Sequence, residues 1–76
     1  MKYRQPSKLP VLSWKDVVKV LQKLGYQYKH GKGSHMYFSD GVHNVTVPRH
    51  DEIAPRTLLS IIEQAGLTKD QFLKLV

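Results

Sequence analysis

Four histidines, His30, His35, His43 and His50, are the side chains of this sequence best suited to move a proton near neutral pH or to hold a metal. Their spacing argues against the metal. None forms a short H-x-x-x-H pair on a helix, and no H-E-x-x-H motif is present. Strand alternation places His30 and His35 on opposite faces of a hairpin. With no cysteine in the chain, thiolate zinc sites and disulfides are excluded together.

His35 stands in the stretch GKGSHMYF, from Gly31 to Phe38. Gly31-Lys32-Gly33-Ser34 resembles a phosphate loop only superficially. The G-x-x-x-x-G-K-[ST] spacing is missing, and the run leads into a strand where a phosphate loop leads into a helix. Its glycines shape a turn, from which Lys32 can still touch a phosphate. No nucleophile elbow is present, and no pair of acids is placed for glycoside cleavage. What remains is one imidazole on a strand beside cations, able to take or give a proton without a metal. RNA carries its own nucleophile, the 2′-hydroxyl. An imidazole that removes its proton, with Lys29 or Lys32 holding the phosphate, suffices for modest cleavage. The plainer reading is that His35 is one polar residue on a half-exposed strand.

The elements that must position His35 are legible in outline. Residues 1–12 hold two prolines and no periodicity and are expected to be an irregular arm, leaving 13–76 as a single domain. Ser13-Trp14-Lys15-Asp16 has the spacing of a capping box, with Asp in the place of Glu. Trp14, Val17, Val18, Leu21 and Leu24 recur at helical spacing as the buried stripe, and Gly25 is the stop. Three short strands are expected next, over 26–30, 34–39 and 42–47, with turns at Gly31-Lys32-Gly33 and Asp40-Gly41. Alternation sends Tyr26, Tyr28, Met36, Phe38, Val45 and Val47 to the covered side. It leaves Lys29, His35, Tyr37, Asn44 and Thr46 on the open face. Pro48 to Glu52, with Arg49 and His50, form a loop. A second helix begins at Ile53-Ala54-Pro55 and buries Leu58, Leu59, Ile61, Ile62 and Ala65. Thr68 caps a short last helix anchored by Phe72 and Leu73. The expected fold is α+β, with order α-β-β-β-α-α and a three-stranded antiparallel sheet covered on one face by helices.

Charge narrows the partner. The chain carries 12 Lys and Arg against 6 Asp and Glu, and the excess lies in its first half. Eight cations (Lys2, Arg4, Lys8, Lys15, Lys19, Lys23, Lys29, Lys32) face one acid, Asp16, before Met36; four face five after it. A basic face on a small domain points to a polyanion, nucleic acid before membrane, because no long cationic amphipathic anchor is present. Solubilising surface charge is the alternative. No apolar run nears the roughly 18 residues of a membrane span, and MKYRQPSKLP lacks a signal-peptide core, so a cytoplasmic protein without membrane attachment is expected. Asn44-Val45-Thr46 matches a glycosylation acceptor but reads as strand.

Several elements in order resemble one family. They are Leu12-Ser13-Trp14 before Val17 to Leu21, Leu24-Gly25-Tyr26, Lys32-Gly33-Ser34-His35, Val45-Thr46-Val47-Pro48 with His50, and Thr57-Leu58 through Ile61 to Leu67. Together they look like HicA, the YcfA-like toxin family of HicA–HicB toxin–antitoxin systems, over roughly residues 9–73. The resemblance implies a fold like a double-stranded-RNA-binding domain. It also implies a ribosome-independent endoribonuclease that cleaves mRNA through a single catalytic histidine until a HicB-type antitoxin blocks it. The motif histidine falls on His35. No metal or small-molecule cofactor is implied. Lys29, Lys32, Ser34, Tyr37, Arg49 and His50 are the expected RNA contacts, and Lys15, Lys19 and Lys23 supply long-range attraction. Arg56 stands where members commonly carry glycine. Two other readings stay open: a non-catalytic RNA-binding module, and a domain whose basic face meets an acidic protein.

Overall fold

A computed structural model describes residues 9–76; residues 1–8 of the expected arm, with their three cations, lie outside the described residues. Residues 9–13 form neither helix nor strand, yet Leu12 is buried and its carbonyl accepts the Ile53 N–H at 2.8 Å. The order is α1 (Trp14–Lys23), β1 (Gln27–Lys32), β2 (His35–Ser39), β3 (Asn44–Pro48), α2 (Pro55–Gln64) and α3 (Lys69–Leu73). The three strands form one antiparallel sheet in the order β1-β2-β3. This is the α+β arrangement expected from the sequence.

Helix α1 starts at the expected box. The Ser13 hydroxyl accepts the Asp16 N–H at 3.3 Å, and the Asp16 carboxylate accepts the Ser13 N–H at 3.0 Å, so two otherwise unpartnered donors are satisfied. The helix closes with Gly25 N–H on Gln22 O and Tyr26 N–H on Leu21 O, the paired bonds of a Schellman motif. Its buried stripe is Val17, Val20 and Leu21; Trp14, Val18 and Leu24 flank it half-buried. Val20, left out of the expected stripe, is buried because the contact face of α1 is centred one position away from Trp14. Helix α2 takes Pro55 at its first position and buries Leu58, Ile61 and Ile62, while Leu59 points outward. A second capping box, between Thr68 and Gln71, starts α3 and sets Phe72 fully into the core.

The core lies between one sheet face and the helices. Met36, Phe38, Val45 and Val47 supply the sheet side, as alternation required. Helices α1 and α2 pack chiefly against β3, so their cover runs out before β1, all six residues of which are exposed. Tyr28 therefore stays 53% exposed, although it faces the covered side and meets Phe38 edge-on at 5.7 Å. Its expected place under a helix is corrected by that short cover. The Tyr28 ring lies along the strand over Gly31, where any Cβ would come within 2.6 Å of the Tyr28 hydroxyl.

Two further expectations change at the hairpin. The pairing runs Tyr28 with Phe38 and then His30 with Tyr37, so Lys29 is an extra residue in a β-bulge. Beyond the bulge, strand parity is inverted. His30 therefore shares a face with Tyr37 and His35, and the placement of His30 and His35 on opposite faces is overturned. The turn is also tighter. Lys32 pairs with His35, so the loop is only Gly33-Ser34, and Gly33 adopts φ +62°. Positive φ at the first loop position alone is the pattern of a type II′ hairpin turn.

At the β2–β3 turn, Asp40 Oδ1 accepts the N–H groups of Val42 and His43 at 2.8 and 2.6 Å. Those donors are held by the side chain, so β3 begins at Asn44, two residues later than expected.

Candidate active site

Two neighbouring pairings fix His35. It is the first residue of β2, directly after the two-residue turn, opposite Lys32 of β1 and Pro48 of β3. Met36 is buried, so the exposed His35 stands on the other face, with Tyr37 two residues on. The open face is not unbounded. Helix α2 runs along the free edge of β3, where the Gln64 side-chain oxygen accepts the Thr46 N–H at 3.0 Å. That bond satisfies an edge-strand donor and fixes the amide, leaving its NH₂ end as a donor.

Between the open face and α2 lies a cavity of about 290 Å³. His35 lines it with Thr46, Pro48, His50, Thr57, Ser60, Ile61 and Gln64. Apart from the two imidazoles the wall is uncharged: three hydroxyls, one amide and two apolar side chains. Thr57 belongs to the first turn of α2, which has no side-chain cap and no acidic residue. The positive end of that helix therefore adjoins the cavity, a field that favours an anion.

The expected RNA contacts divide into groups. His50 lines the cavity with His35. Lys32 sits across the ladder from His35, and Lys29 forms the bulge; both are exposed on the hairpin. Tyr37 stacks on His30, with ring centroids 4.6 Å apart and planes 23° apart. Ser34 contributes its carbonyl, which accepts the Arg49 N–H at 2.6 Å and ties the hairpin turn to the loop after β3. Arg49 points elsewhere, its guanidinium 5.6 Å from the centre of the Trp14 ring, with Lys15 at 5.7 Å from the same ring. Of the α1 cations, Lys23 donates to the Leu75 carbonyl at 2.8 Å. His43 is held at the far turn, 3.3 Å from Asp40. Among the described residues, no three His, Asp or Glu side chains converge as a metal site. No helix among them is long and apolar enough to cross a membrane.

Sequence reasoning missed Thr57, Ser60 and Gln64. Their spacing of three and four puts them on one stripe of α2, beside the buried stripe of Leu58, Ile61 and Ile62. The available signal was chemical. Outward helix positions are usually charged, and these three are neutral hydrogen-bonding groups. His30 was missed because no residue type announces a bulge.

A search of curated proteins gives no match. The family model of the HicA toxin of bacterial toxin–antitoxin systems matches residues 14–67. That stretch runs from the first residue of α1 to just beyond α2 and includes every residue of the cavity. Since it takes in well over half of the 76 residues, the chain belongs to the HicA toxin family, the toxin side of a toxin–antitoxin system.

Proposed function

We propose that the protein is an endoribonuclease toxin that cleaves mRNA by using His35 to activate a ribose 2′-hydroxyl, and that a HicB-type antitoxin silences it. One observation carries the reading: an exposed imidazole aimed into a small, uncharged, hydrogen-bonding cavity, beside a cationic hairpin. A cavity of that size receives a nucleotide unit and leaves the rest of the strand outside. His35 takes the proton, and no metal is needed for that step. Lys32 and Lys29 hold the phosphate from the β1 side, and the uncapped first turn of α2 favours it from the other. The stacked rings of His30 and Tyr37 form a platform on the same face, suited to an unpaired base. Single-stranded mRNA presents those bases; a regular duplex does not.

Two further observations favour this reading over a plain RNA-binding module. The cavity lies off the flat of the sheet, where a binder of backbone alone has no use for it. Its wall holds neutral groups that discriminate by hydrogen bonding and add nothing to bulk electrostatic affinity. The test is biological. Induced in growing bacteria, the parent halts growth with loss of intact mRNA, and co-expression of a HicB-type antitoxin restores both. The His35→Ala protein accumulates without arrest. An equally potent His35→Ala protein would overturn the proposal.

A further inference from the structure

Two imidazoles, not one, line the cavity, and they reach it by different routes. His35 is placed by the sheet. His50 is placed by a loop whose backbone is held at both ends of the residue. Its N–H donates to Pro48 O at 2.9 Å, and its carbonyl accepts the Trp14 N–H at 3.0 Å. That donor is one of the free N–H groups in the first turn of α1, so helix start and loop fix each other. Arg49 adds a third tie through Ser34 O and a fourth over the Trp14 ring. Surface loops are ordinarily the mobile parts of a fold, and four ties on two consecutive residues are more than chain reversal needs.

The register brings the two rings to the same end of the ladder. Pro48, the cross-strand partner of His35, is the last residue of β3, and His50 follows it two residues later in the loop. Both side chains line one cavity, so a phosphodiester seated there meets both.

Cleavage by an internal 2′-hydroxyl moves two protons. One leaves the nucleophile; the other must reach the 5′-oxygen, because an alkoxide is a poor leaving group. We propose that His50 is a second catalytic residue, the general acid that protonates the departing 5′-oxygen while His35 takes the 2′-hydroxyl proton. The 2′-oxygen–phosphorus bond forms and the phosphorus–5′-oxygen bond breaks. His35 ends as imidazolium and His50 as neutral imidazole. The products are a 2′,3′-cyclic phosphate and a free 5′-hydroxyl, and exchange with water resets both rings. The assignment rests on the ribonuclease reading above and goes beyond its single histidine.

No other group of the wall fits the role. Thr46, Thr57, Ser60 and Gln64 do not titrate near neutral pH. Lys32 lies across the ladder on the far side of His35, outside the lining. The charged neighbours of His50 are Arg49 and Asp51 in the chain, then Glu52 and, at the start of α2, Arg56; none of them lines the cavity.

The test uses two substrates that differ only in the need for an acid. Single-stranded RNA requires a proton on its leaving oxygen; uridine 3′-(4-nitrophenyl phosphate) releases a stable phenolate without one. Purified parent, His35→Ala, His50→Ala and His50→Gln are compared on both, with melting curves to verify folding. On RNA, both His50 variants fall by about 10²-fold or more, the usual worth of a positioned acid. On the nitrophenyl ester they stay within a few-fold of the parent, while His35→Ala loses both substrates. A folded His50 variant that cleaves RNA like the parent overturns the inference. So does one that loses both substrates equally, which marks a binding or structural role. A parent that cleaves neither, or a His35→Ala protein as active as the parent, instead defeats the underlying ribonuclease reading.

Discussion

At the scale of single residues, the site is a set of neutral contacts around two rings and a stacked aromatic pair beside it. Tyr37 and His30 lie face to face on the open sheet, so a base added to them extends an existing stack. Stacking of one base on an aromatic side chain is worth about 1–3 kcal/mol. In a His35→Ala background, where no RNA is consumed, Tyr37→Ala is expected to weaken binding of a short single-stranded RNA by roughly 5- to 150-fold. Fluorescence anisotropy measures it; unchanged affinity would remove the platform from the account. His35 was readable from alternation alone, since buried Met36 and Phe38 dictate its face. His30 was not. The bulge at Lys29 inverts parity from His30 to the turn, and nothing in Tyr28-Lys29-His30 marks it. Gln64 was hidden for another reason: an exposed helix amide is usually solvated, and its bond to Thr46 depends on where α2 lies relative to an edge strand.

At the scale of elements, the two turns and the helix starts decide whether the cavity exists. Gly33 at φ +62° sets the turn that delivers His35. Any side chain there costs about 1–2 kcal/mol, so Gly33→Ala is expected to lower stability by that amount in urea unfolding. Ser13→Ala removes the side-chain half of the α1 capping box and costs about 1 kcal/mol by the same measurement. The β2–β3 turn carries the pH dependence. Backbone N–H bonds from His43 and Val42 pull the Asp40 carboxyl down to about 2 from its ordinary 3.8. A lowered folded-state value means the contribution is complete above about pH 4 and is lost as pH falls through about 2. The Val42 and His43 amide resonances should therefore titrate with a midpoint near 2, and a midpoint near 4 would contradict the bonding. Ser13, Asp40-Gly41 and the Thr68 cap were legible because each is a local side-chain bond to nearby backbone. The reach of helical cover over the sheet is not local, and that is why Tyr28 was misplaced.

At the scale of the whole molecule, a formal charge of +6 sits on a small core. Phe72 is completely buried, so Phe72→Ala is expected to cost about 3–5 kcal/mol, much of the stability of a domain this size. The half-chain charge count located cations along the sequence, but among the described residues the fold distributes them between two layers. Lys29 and Lys32 are on the hairpin with His35, whereas Lys15 and Lys19 lie on α1, which covers the opposite face of the sheet. Affinity for single-stranded RNA should fall as salt rises, and Lys32→Ala should flatten that dependence by about one phosphate contact while Lys19→Ala leaves it nearly intact. The chemistry assigned to His35 is read from end-labelled single-stranded RNA in excess chelator. The parent is expected to cut this RNA to fragments ending in 2′,3′-cyclic phosphate, and folded His35→Ala to leave it intact; equal cutting by the two proteins, or cutting only after a divalent metal is restored, would overturn the role of His35.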